Sequence, residues 1–212
     1  MRTLIVLLTA TGLFGLAAGC GSSGSKVSVD AVHQAADKLV AAPTAPCPLG
    51  LDVNAALKSA GISTAATPGA DGSPAAEGES DRNGLAGSSG VQQHAAMVTC
   101  HYTLSGGVGL DVNLTAVGKG SAILILAPVL ARDGHLTVTE IQALVSRKID
   151  AGSTVATPDG GYAAISKLHA SGGDAILEAR AVAATGGTDS GLVTGEPLRK
   201  LTAALADQVR IK

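Results

Sequence analysis

Two periodicities run along this chain and divide it into strands and helices. Cys100, Tyr102 and Leu104, then Val108, Leu110, Val112, Leu114 and Ala116, place an apolar residue at every second position. His101 and Thr103, then Gly109, Asp111, Asn113 and Thr115, fall between them. A period of two marks strands with one buried face, and Ser105-Gly106-Gly107 supplies a three-residue turn between the runs. Matching the two apolar faces across that turn sets Tyr102 opposite Leu110, Cys100 opposite Val112 and His101 opposite Asp111. The last pair then reads as an exposed cross-strand ion pair. A second hairpin is expected from residues 161–168 and 174–184, joined through residues 169–173.

Helical spacing governs the rest. Val29, Val32, Ala36, Leu39 and Val40 share one stripe behind Ser28 or Asp30 as a cap, and Pro43, Pro46 and Pro48 stop that helix. Residues 52–60 read as a second short helix closed by Gly61. Thr137-Val138-Thr139-Glu140 has the capping-box pattern ahead of Ile141, Leu144, Val145 and Ile149. A final helix opens at Thr194 and Glu196-Pro197 and carries Leu198, Leu201, Leu205 and Val209. Residues 122–130 are apolar enough for a strand or a helix, and Pro128 confines any helix to the residues after it. Residues 63–90 are dominated by Gly, Ser, Ala, Thr and Pro and are expected to form a disordered insertion. The fold class expected is α+β: an antiparallel sheet of two hairpins with helices packed on one face, divisible into two similar half-lobes.

The first nineteen residues change the picture from fold to address. Arg2 precedes an apolar run that ends in Leu16-Ala17-Ala18-Gly19-Cys20, too short for a comfortable membrane span and long enough for a signal peptide. Small residues before Cys20 fit the cleavage site of a bacterial lipoprotein, with Cys20 the acceptor of a diacylglyceryl group. Two acyl chains give a stable anchor. The expected organisation is therefore a signal peptide at 1–19, a lipidated cysteine and flexible tether at 20–27, and one α+β domain at 28–212. The protein would sit at the cell membrane, lipid-anchored on its extracytoplasmic face.

With Cys20 assigned to lipid, Cys47 and Cys100 remain in an oxidising compartment, and a disulfide between them is expected. Without Arg2, 14 basic side chains face 17 acidic ones, which gives no electrostatic footprint for nucleic acid. Phe14 lies in the signal and there is no Trp, so Tyr102 and Tyr162 are the aromatic residues left for the domain. Ligands that need aromatic stacking are disfavoured.

Pro46-Cys47-Pro48 before a short helix, a low-complexity insertion, Cys100-His101-Tyr102 opening a hairpin, and Gly160-Gly161-Tyr162-Ala163 before a later strand form a further pattern. The arrangement resembles that of uncharacterised secreted lipoproteins of high-GC actinobacteria. The resemblance covers most of the mature chain at the level of pattern. Many members have a second disulfide in the C-terminal half, where this chain has no cysteine. It implies an envelope location and an α+β fold, and it carries no catalytic residue across.

Candidate chemistry is sparse. There is no Gly-x-Ser-x-Gly, and the single Ser-x-x-Lys, Ser23 to Lys26, lies in the tether, which cannot preorganise a nucleophile. Gly118-Lys119-Gly120-Ser121 lacks the spacing of a phosphate loop. Asn113-Leu114-Thr115 matches a glycosylation acceptor but falls within a predicted strand. His33, His94, His135 and His169 are dispersed, without metal-ligand spacing, so no metal or other cofactor is expected. Two functional classes remain. One is a non-enzymatic envelope lipoprotein that binds a lipid, an apolar small molecule or an envelope protein. The other is an envelope hydrolase or transferase whose site is assembled from distant residues such as His101, Asp111, Glu178 and Arg180.

Overall fold

In chain order the elements are β1 (Lys26–Ser28), α1 (Val29–Ala41), α2 (Val53–Ser59), β2 (Ala66–Pro68), β3 (Ala76–Asp81), β4 (Ala95–Leu104) and β5 (Gly109–Val117). They continue with α3 (Ala122–Asp133), α4 (Val138–Ser146), β6 (Thr154–Ala156), β7 (Ala163–Lys167), β8 (His169–Ser171), β9 (Asp174–Val182) and α5 (Gly195–Gln208). The structure, a computed structural model, describes residues 26–69, 74–81, 94–133, 135–158, 160–182 and 193–211.

The class is α+β, with a mostly antiparallel seven-stranded sheet ordered β2-β4-β5-β9-β7-β6 and β3 added beside β4. Read inward from either edge, three strands follow in chain order, β2-β4-β5 from one side and β6-β7-β9 from the other. The first hairpin has the register that its turn length dictates: Tyr102 faces Leu110, Cys100 faces Val112 and His101 faces Asp111. Gly106 and Gly107 take φ values of 105° and 82°, a region that side chains with a Cβ avoid, so the turn needs both. β9 pairs with β5 on one side and β7 on the other, which completes the second hairpin.

Alternation splits this sheet into two faces with different fates. The first face presents Val98, Cys100, Leu110, Val112, Leu114, Leu177 and Ala179 to a core built with α1, α2 and α5. Val32 and Ala36 of α1, Leu57 of α2, and Leu198, Leu201 and Leu205 of α5 are fully buried there. α2 is capped by Asp52, whose side chain accepts from Ala55 N. The second face packs Val117, Ala163, Ile165 and Ile176 against Leu126 and Leu130 of α3 and Leu144 of α4. Helices therefore cover both faces, and the expected one-sided packing is corrected by the α3–α4 pair. α4 carries the predicted capping box, with Thr137 and Glu140 bonded reciprocally.

Four further expectations change. α3 continues past Pro128: Pro128 and the residue one turn before it, Leu124, are both exposed, where water can satisfy the carbonyl that proline leaves unpaired. Val40 is 63% exposed, and His33 and Ala35 take buried places on α1 instead. The stretch 63–90, read as wholly disordered, contributes β2 and β3, which pair with successive segments of one edge of β4. Small residues allow it: a Cβ on Gly78 would lie 2.3 Å from the carbonyl oxygen of Ala36, so only glycine lets α1 lie directly on β3. Finally, Lys26 and Val27, assigned to the tether, belong to β1, which pairs in parallel with β8 in a separate two-stranded sheet.

Cys47, in the loop between α1 and α2, is disulfide-bonded to Cys100 of β4, with Cα atoms 5.5 Å apart. The bridge fixes the Pro-rich loop to the first face of the sheet. Cys20 and residues 1–19 lie outside the described residues, as does the end of the predicted second hairpin beyond Val182.

Candidate functional site

Where α3 and α4 end, the second face of the sheet becomes polar. Strand alternation and register together build two adjacent rows across β4, β5 and β9. One row is His101, Asp111 and Arg180, and the next is Thr99, Asn113 and Glu178. Residues two apart on a strand share a face, so neither row could form without the three-residue turn that sets the β4–β5 register.

Asp111 is the hub of the first row. His101 Nδ1 lies 2.7 Å from Asp111 Oδ1, and Arg180 Nη2 donates to Oδ2 at 2.8 Å. The three side chains are only 12–14% exposed, so the expected exposed ion pair is instead a largely buried triad. In the second row Thr99 Oγ1 donates to Asn113 Oδ1 at 2.6 Å, and Asn113 Nδ2 donates to Glu178 Oε2 at 2.6 Å. Glu178 is fully buried and Asn113 is 2% exposed, which removes Asn113 as a glycosylation acceptor in the folded protein.

The electrostatics follow from this geometry. The hydrogen bond to Asp111 raises the His101 pKa above its ordinary 6.5; burial opposes the rise, and the charges of Asp111 and Glu77 reinforce it. For Asp111, burial works against ionisation, but hydrogen bonds from His101 and Arg180 outweigh it and hold the carboxyl below its usual range. The carboxylate on Nδ1 fixes the ring, and Nε2 has no hydrogen-bond partner. That nitrogen lies 3.9 Å from Oε2 of Glu77, whose side chain is 60% exposed at the rim. The arrangement favours the charged imidazolium, keeps the ring oriented, and sets it beside an exposed carboxylate.

His101, Asp111, Glu178 and Arg180, named from sequence as a set that distance might assemble, are thus brought together on one sheet face. Glu77 was missed because its segment read as disordered. The signal was present in period two, since small Ala76, Gly78 and Ser80 alternate with acidic Glu77, Glu79 and Asp81. Cys47 and Cys100 meet as predicted. The other histidines do not gather: buried His33 of α1 bonds Ser80 through Nδ1 at 2.9 Å, and His135 makes an edge contact with Tyr162 at 5.2 Å. Among the described residues no group of three or more His, Cys, Asp or Glu side chains is placed to hold a metal ion. Among them, too, no helix is long and apolar enough to cross a membrane.

Two open recesses flank the fold. One of about 430 Å³ lies beside β1 and β8 and is lined in part by Lys26, Lys167, His169 and Asp174. The other, of about 420 Å³, lies between α2 and the β4–β5 turn and is lined in part by Asn54, Lys58, Thr64 and Ser105. Compared with protein-family models, curated proteins and solved structures, the chain matches none of them.

Proposed function

We propose that this chain is a lipoprotein of the bacterial envelope, in the group it resembles among the secreted lipoproteins of high-GC actinobacteria. Cys20 tethers it to the extracytoplasmic face of the cell membrane, and it acts by binding an envelope protein partner. The observation that carries the binding reading is where the aliphatic side chains go. They fill two packed cores, while the recess between α2 and the β4–β5 turn is open and lined in the main by polar groups such as Asn54, Lys58, Thr64 and Ser105. A protein surface suits such a recess better than an acyl chain does. The disulfide supports an oxidising compartment. From Asp174, beside β1, to Arg180 is six residues of β9, roughly 20 Å at the usual strand rise, so the charged site faces away from the anchored end.

The test has two parts. Wild-type protein is expected to partition into detergent, and Cys20→Ala to accumulate as unprocessed precursor; a water-soluble protein cut elsewhere defeats the anchor. A photo-crosslinker at position 77 is expected to capture a discrete partner in cells, and capture is expected to fall when His101→Ala is added. An empty crosslinking pattern defeats the partner reading.

A second reading draws on the orientation of His101. A carboxylate on Nδ1 with Nε2 left without a hydrogen-bond partner, buried beside the rim carboxylate of Glu77, is the arrangement of an oriented general base, which suits a hydrolase or transferase. Serine- or cysteine-directed probes that label the wild-type protein and spare His101→Ala would establish it.

A further inference from the structure

We infer that the end of the fold formed by β1, β8 and the neighbouring loops is a membrane-facing surface that rests on anionic phospholipid headgroups of the anchoring bilayer. The inference builds on the reading of Cys20 as the lipid anchor. Its own basis is the distribution of charge in the fold. The chain carries a net charge of −2, yet Lys26, Lys119, Arg147, Lys148 and Lys167 converge on this one end.

The convergence follows from topology. Lys26 lies in β1 opposite His169 of β8. Gly152 N donates to the carbonyl oxygen of Lys167, which brings the loop bearing Arg147 and Lys148 beside β7. Val117 pairs with Asp174, and Ala122 N donates to Asp174 Oδ2 at 2.9 Å, so Lys119 sits in the loop over the start of β9. Lys26, Lys119, Arg147 and Lys148 are exposed. The acidic groups here are Asp30, exposed in the first turn of α1, Asp174, paired with Lys167, Asp150, 3.7 Å from Lys148, and Asp207 at the margin of the neighbouring recess. Five cations thus face four anions at this end, and acidic β3, whose last residue Asp81 is level with Asp174 in the strand register, lies three strands away at the sheet edge.

Chain length settles which ligand these cations meet. Lys26 stands six positions after Cys20, a reach of at most about 20 Å when extended. An acylated Cys20 thus holds the end that carries Lys26 against the bilayer. Anionic headgroups attract juxtamembrane lysines within about a Debye length, near 8 Å at physiological salt. Lys58, by contrast, lies at the opposite end of the sheet with Ser105 of the β4–β5 turn.

The experiment uses processed full-length protein reconstituted into vesicles of phosphatidylcholine, with or without phosphatidylglycerol. Lysine acylation is read residue by residue, with intact mass reporting the acyl group on Cys20. Severalfold slower acylation of Lys26, Lys119 and Lys148 in the anionic vesicles, reversed by salt and absent at Lys58, is the expected result. Equal rates in both vesicles, or protection centred on Lys58, overturn the inference. A protein without the acyl mass defeats the anchor reading instead. A chain of residues 21–212, with neither signal nor acyl group, then tests the surface alone, with salt-sensitive cosedimentation on anionic vesicles expected and its absence overturning it.

Discussion

Leu177 and Glu178 are neighbours on β9 and point to opposite sides of one sheet. Both are fully buried. Leu177 enters an aliphatic core under α1, α2 and α5, whereas Glu178 accepts from Asn113 in a network of charged and amide groups. Packing an aliphatic side chain gains hydrophobic stabilisation wherever it happens. Burying a carboxylate costs desolvation, which hydrogen bonds and neighbouring charges only partly offset, and an apolar replacement is often as stable. The aliphatic cores on the two faces thus account for the stability of the domain, and the polar end of the second face calls for a functional explanation. Such networks with perturbed ionisation concentrate where proteins bind or react.

The largest effect expected is on the side of stability. Cys47 and Cys100 are 53 residues apart in sequence, and removing the bridge between them by a Cys47→Ala/Cys100→Ala double substitution should cost about 4 kcal/mol on a chain-entropy account. Urea denaturation measures it. A cost below about 1 kcal/mol would mean that the Pro-rich loop is held to the first face by packing alone.

Next come the two β9 neighbours. Leu177→Ala should lose about 3 kcal/mol, within the range for large-to-small changes in a filled core. Glu178→Gln keeps an acceptor oxygen for Asn113 and should lose about 1 kcal/mol or less. Equal losses would break the division between the faces. If Glu178→Gln were the more damaging of the two, the polar network would have to be counted as core.

Asp111→Asn tests the hub. Losing the carboxylate that both His101 and Arg180 bond should cost about 2 kcal/mol near pH 6. The pH profile gives the sharper readout. The folded-state pKa of His101 is raised, so its contribution is fully present below its unfolded value of 6.5 and disappears as pH rises through the folded value. The pKa of Asp111 is lowered, so its contribution is present above its unfolded value of 3.8 and is lost as pH falls through the folded value. Together they act most strongly between about pH 4 and 6.5, given ordinary unfolded values. Asp111→Asn should flatten the profile over that window, whereas Leu177→Ala should shift it down without changing its shape.

How much of this was legible from sequence depended on where the determining contact lay. The β4–β5 register was legible because it is set locally, by two alternating runs and a Gly-Gly turn. The α4 capping box was legible for the same reason, since Thr137 and Glu140 bond within one turn. β3 was not. Its residues are small or acidic, and what makes it a strand is a tertiary fit, with Gly78 under Ala36 and β4 alongside. The α3–α4 pair on the second face was equally hidden, because period two shows that a strand has two faces but not what covers each. For the candidate site, four charged residues could be named from sequence. That His101 and Asp111 are largely buried with Arg180, and that Glu77 stands at the rim, required the pairing of β3 and β9 around the hairpin.

The smallest effect expected on stability comes from the rim. Glu77 is 60% exposed and 3.9 Å from His101 Nε2, too far for a hydrogen bond, so Glu77→Gln should change stability by less than about 0.5 kcal/mol. Its effect on His101 should still be visible, because removing a nearby negative charge disfavours the imidazolium. An NMR titration of the His101 ring should show its pKa falling toward 6.5 while staying above it, since the hydrogen bond to Asp111 is the larger cause of the rise. No fall at all would mean that solvent screens the rim carboxylate from the buried triad. Glu77 would then be a surface charge on an edge strand, and the polar end of the second face would have to present its chemistry through His101 alone.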